Sequence, residues 1–124
     1  MGGWHERSGA LNMAKKQYDC GIGPAFDAVG GKWKAAILWE LAAAPIRFGV
    51  LKRRVPGVTE KMLIQQLREL ERDGLITREV FREVPPRVEY ALTEWGVSLN
   101  QALVPIAEWG EAFARATGRY PVEP

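Results

Sequence analysis

The chain has 124 residues, 47% hydrophobic and 26% charged, which fits one globular domain with a packed core and excludes disorder throughout. A lone cysteine, Cys20, excludes an intramolecular disulfide and a multi-cysteine zinc site and suits a reducing compartment. The net charge is only +2, but Lys32 to Arg68 holds eight Lys or Arg against two Glu, whereas Glu89 to Pro124 is acidic; a basic patch of this kind suits a nucleic-acid partner, against the plainer reading of a solvated basic face.

Residues 1–22 read as a flexible N-terminal segment punctuated by glycines, in which Met13 offers an alternative start. Residues 1–17 have no apolar h-region, and no apolar run approaches the ~20 residues of a membrane span. A soluble, cytoplasmic protein is expected. Pro24 starts a first helix, which Gly30-Gly31 closes. A second helix spans Trp33 to Ala43. It is apolar nearly all round, so it should be buried on most sides, and Pro45 stops it. Ile46-Arg47 suits a short strand. Phe48 to Arg54 is a third helix with Phe48 and Leu51 inward, and Pro56-Gly57 is a turn.

Thr59 is an N-cap candidate for the best-marked helix, and Gly74 is its C′ residue. Leu63, Leu67 and Leu70 form its inner stripe, while Lys61, Ile64, Gln65, Arg68 and Arg72 fall on the opposite face. Leu75 to Arg82 and Val88 to Leu92 alternate with period two, and Pro85-Pro86 between them marks a hairpin tip. Thr93 caps a last helix, Glu94 to about Thr117, which Pro105 should bend or split.

A short helix, a turn, a basic amphipathic helix and a hairpin describe a winged helix-turn-helix. The fold class expected is α+β, mostly α. The fourth helix carries side chains suited to a major groove: Gln65 for adenine, Lys61 and Arg68 for guanine or phosphate, Ile64 for a thymine methyl, Thr59 for phosphate. Arg82 and Arg87 flank the wing tip and suit a minor groove, against the alternative that either pairs with Glu83 or Glu89. Lys52, Arg53 and Arg54 suit phosphates. Glu69, Glu71 and Asp73 are expected to pair with Arg68, Arg72 or other nearby bases. Nothing marks a catalytic or metal site: the single His, His5, lies in the N-terminal segment, and no enzyme or cofactor is expected. The alternative is a winged-helix module for protein contacts. It would need a neutral recognition face, and Lys61, Gln65 and Arg68 do not make one.

Gly30-Gly31-Lys32-Trp33, Ile37 to Leu41, Pro56-Gly57-Val58-Thr59, Leu67 to Ile76 and Val84-Pro85-Pro86-Arg87-Val88-Glu89-Tyr90 closely resemble the HxlR family of transcription regulators, related to MarR-type proteins. The match runs from Cys20 to about Gly110. The resemblance implies a homodimer on double-stranded DNA with a palindromic operator, most simply as a repressor. It implies dimerisation through the N-terminal segment and the C-terminal helix. The apolar face of Trp95, Leu99, Leu103, Ile106, Trp109 and Phe113 fits that independently. The expected division is 1–22 flexible, 23–93 winged core, and 94–124 dimerisation helix and tail. Some family members sense quinones, aldehydes or oxidants through a cysteine before the first helix. Cys20 holds that position, near Lys15 and Lys16, but Gly21 follows it where the family usually has Pro. Any pocket for a small effector is expected between the dimer helices and the winged domain, near Trp33, Trp39, Trp95 or Trp109.

Overall fold

The computed structural model describes residues 20–120. The expectations for Met13, His5, Lys15 and Lys16 lie outside them. In chain order come α1 (Ile22–Val29), α2 (Lys34–Glu40), β1 (Ile46–Arg47), α3 (Phe48–Arg54), α4 (Glu60–Arg72), β2 (Ile76–Phe81), β3 (Arg87–Leu92) and α5 (Glu94–Thr117). The strands form one antiparallel sheet in the order β1-β3-β2. Its register sets Ile46 against Tyr90 and Ile76 against Leu92.

α1 begins at Ile22, before Pro24, which sits in the first turn, where its missing N–H is not needed. α2 is shorter than its apolar run. Leu41 caps it with a bond to the Ile37 carbonyl, and the following residues turn toward Pro45 and β1. It is also less enclosed than its composition implies. Ile37 and Leu38 are fully buried, but Trp39 is 49% exposed.

α4 shows why its boundaries were legible. The Thr59 hydroxyl accepts from the Met62 amide at 3.1 Å. At the other end Gly74 takes φ 77°, and the amides of Gly74 and Leu75 bond the carbonyls of Glu71 and Leu70, a Schellman closure. Leu63, Leu67 and Leu70 are all buried into the core with Leu51 and Ile76. Each contributes roughly 1.5–3 kcal/mol of burial.

α5 runs as one helix through Pro105, so of the bend or split expected there the split does not occur. Its start is fixed by Thr93, whose hydroxyl accepts from the Gly96 amide and donates to the Gly74 carbonyl. Gly96 packs against Leu75 so closely that a Cβ would collide with the Leu75 carbonyl oxygen. One turn on, Asn100 Nδ2 donates to the Leu38 carbonyl at 2.7 Å. These contacts join α5 to α2 and the sheet. No helix among the described residues is long and apolar enough to cross a membrane.

Candidate nucleic-acid interface

The turn between α3 and α4 spans Val55 to Thr59. Val55 and Val58 are buried, which anchors it, and Gly57 turns the chain at φ 86°. α4 therefore leaves the core with one stripe inside and the other facing out. Lys61, Gln65 and Arg68 are exposed on that outer face and Ile64 is half-buried beside them. With Arg72, which lines the same open face, all five side chains expected together are together. Thr59 lies exposed at the N-terminal end, where its oxygen serves the cap, a role that leaves a hydroxyl its O–H as a donor.

Lys52, Arg53 and Arg54 occupy the last turn of α3, all exposed. They favour the negative end of the helix and are available to an incoming phosphate. A concavity between α4 and the sheet is lined by Phe48, Glu60, Ile64, Arg68 and, from β2, Arg78. The sequence reading missed Arg78. It shares no local motif with Arg68, and only the fold of the hairpin over α4 brings the two guanidinium groups into one cleft.

The wing separates its two arginines. Arg82, after β2, is exposed and makes no ion pair among the described residues. Arg87 is the first residue of β3 and is occupied. It pairs with Glu83 at 2.9 Å and Glu89 at 3.2 Å, and stacks over Phe81 at 3.9 Å. The Val84–Pro85 peptide bond at the tip is cis. Val84 stands fully exposed.

Of the partners expected for the acids near the end of α4, Glu69 takes another nearby base. Glu69 bonds Lys34 of α2 at 2.7 Å, not Arg68 or Arg72. Its second oxygen accepts from Gln65 Nε2 at 3.3 Å. The Lys34 hydrogen bond lowers the Glu69 pKa below 4.5; partial burial opposes this, and Gln65 adds to it. Lys34 is itself buried and Glu69 is partly exposed, so the pair braces two helices at the edge of the core.

Away from this face, α5 carries Trp95, Ile106 and Trp109 at 74%, 58% and 64% exposure. Phe113 stacks under Trp109 with ring centres 4.9 Å apart. Leu99 turns inward and packs on the chain's own core, while Leu103 is half-buried. On α1, Ile22 and Phe26 are also exposed. Cys20 is exposed just before α1. Trp39 lines an apolar groove with Ala42, Leu92, Val97, Asn100, Gln101 and Val104.

Comparison with known proteins agrees with this geometry. The family model for the HxlR-like helix-turn-helix matches residues 28–117. An HTH-type transcriptional regulator of Bacillus subtilis, YkvN, is 44% identical over 110 residues, covering 86% of this chain and 93% of YkvN. The solved structure of the redox regulator HypR in its reduced form superposes with a TM-score of 0.75 at 40% identity, covering 82% of this chain and all of that one. A MarR-family regulator from Enterococcus faecalis gives 0.72 at 41% identity, with 89% and 99% covered. With a basic helix displayed beside a wing and relatives of this kind across most of its length, the chain belongs to the HxlR-like helix-turn-helix family of DNA-binding transcription regulators.

Proposed function

We infer that the protein grips a palindromic operator as a homodimer, each copy laying α4 in a major groove. The observation that carries this is the joint exposure of Lys61, Gln65 and Arg68 on one face of α4. Lys61 and Arg68 supply donors for guanine or phosphate, Gln65 suits adenine, Ile64 reaches a thymine methyl and Thr59 a phosphate. Lys52, Arg53, Arg54 and Arg78 hold backbone phosphates and set the register. Arg82 reaches the groove beside the wing. Arg87 shapes the tip from its ion pairs, and touching DNA would require it to give up at least one of them.

The exposed tryptophans of α5 and the apolar residues of α1 support the dimer, since so much apolar surface on a chain of this size calls for a partner. Hydroxyl-radical footprinting tests the arrangement. Two protected stretches about 34–36 Å apart, or a multiple of that, are expected. A single stretch contradicts the dimer.

The likeness to a redox regulator supports a thiol-responsive role for Cys20. With no second cysteine in the sequence, a disulfide at Cys20 joins it to another molecule, such as a second copy or a small thiol. The role is one of binding and regulation in the cytoplasm, with no cofactor and no catalysis called for. A module for protein contacts alone is not favoured, because the exposed α4 face is basic.

A further inference from the structure

The outward face of α4 carries two acids among its bases, Glu60 and Glu69, and both carboxylate oxygens of Glu69 are engaged. Glu69 Oε1 lies 2.7 Å from Lys34 Nζ, while Oε2 accepts from Gln65 Nε2 at 3.3 Å. Lys34 comes from α2 and is 7% exposed; among the described residues it shares the status of buried polar side chain only with Asn100. A lysine held this way has little rotamer freedom left, so it fixes the carboxylate in turn. Glu69 is ionised at neutral pH, its pKa lowered first by the Lys34 hydrogen bond. An ionised carboxylate only accepts. The Gln65 amide therefore turns its NH2 group toward Glu69 and its oxygen away.

We propose that Glu69, braced by Lys34, is a positioning residue that fixes the Gln65 amide so that α4 selects adenine over guanine at the base pair Gln65 reads. This rests on the reading that Gln65 faces a major groove. There adenine offers one acceptor, N7, and one donor, N6, whereas guanine offers two acceptors, N7 and O6. The anchored amide has one N–H and its oxygen free, which is one donor and one acceptor and matches adenine. Guanine needs two donors, and one of the two is held by Glu69. Without the anchor the amide rotates and offers both N–H groups, so guanine gains.

The test is selection of binding sites from randomised duplexes by the full chain. Adenine and guanine versions of the selected site are then titrated with wild type, Gln65→Ala and the double variant Lys34→Met/Glu69→Met. Replacing a buried ion pair by apolar side chains of similar size is commonly neutral or better for folding; here Lys34 is buried and Glu69 partly exposed, and thermal melting followed by circular dichroism checks that the double variant folds. Glu69→Ala, which leaves Lys34 without its partner, serves as a second variant. Wild type should prefer adenine by about tenfold at the position that Gln65→Ala flattens. Both anchor variants should bring guanine to within roughly threefold there, with preferences at other positions kept. An unchanged adenine-to-guanine ratio at that position overturns the role of Glu69 and leaves Gln65 a base reader. If Gln65→Ala flattens no position, the reading of Gln65 falls and the proposal falls with it.

Discussion

The guanidinium of Arg87 lies 3.9 Å from the centre of the Phe81 ring, its partner across the β2–β3 ladder. Two carboxylates, Glu83 and Glu89, close around the same guanidinium. A cation stacked on an aromatic face and paired on its edge stiffens the hairpin end. Arg87→Ala should cost about 1–2 kcal/mol in urea unfolding, from the stacking and two partly exposed pairs. Unchanged stability would mean the cluster holds nothing.

Arg82 gives the complementary case. Arg82→Ala should leave stability within about 0.5 kcal/mol. Its affinity for specific and random DNA should fall alike, with the salt slope of binding reduced by about one. A loss confined to one sequence would make Arg82 a base reader.

Arg68 and Lys52 should separate by the kind of loss. Arg68→Ala should weaken the operator complex by about 1–3 kcal/mol and relax one base position. Lys52→Ala should weaken all sequences about equally. Titration of both variants on operator and scrambled duplexes decides between these roles.

Much of this was legible in the sequence because it is local. The caps and leucine stripe of α4 are set by neighbours three and four residues apart, so Thr59, Leu63, Leu67, Leu70 and Gly74 all stand as expected. The hairpin was legible from alternation and its prolines. What was missed depends on distance along the chain. Lys34 and Glu69 meet only when α2 packs behind α4. Arg78 joins Arg68 only when the hairpin folds over the helix. Trp39 looked like core because composition cannot tell a face that meets this chain's own interior from one left open. Pro105 was expected to bend or split α5, yet the helix is not split there.

The Lys34–Glu69 brace should show in the pH dependence of stability. Glu69 is depressed in the fold relative to its ordinary value of 4.5. Its contribution is therefore complete above that value and is lost as the pH falls through the lower folded value. Wild type should lose stability relative to Glu69→Gln across that acid range, measured by urea unfolding at a series of pH values. Parallel curves would show that the pair contributes nothing to folding.

The dimer reading predicts that Trp109→Glu, at an exposed site, leaves the fold intact but splits the protein into monomers. Sedimentation should give a dimer for wild type at micromolar concentration and a monomer for the variant, with operator affinity lost in step. A wild-type monomer at that concentration would remove the dimer from the account.

The most direct measurement is a gel-shift titration on the DNA upstream of the protein's own gene, with random DNA as competitor, at two salt concentrations, for wild type and the double variant Gln65→Ala/Arg68→Ala. The account predicts competitor-resistant binding by wild type that weakens as salt rises, and in the variant only the weak, salt-sensitive binding that any basic surface gives. Equal competitor resistance in the variant would contradict the assignment of α4 as the element that reads sequence.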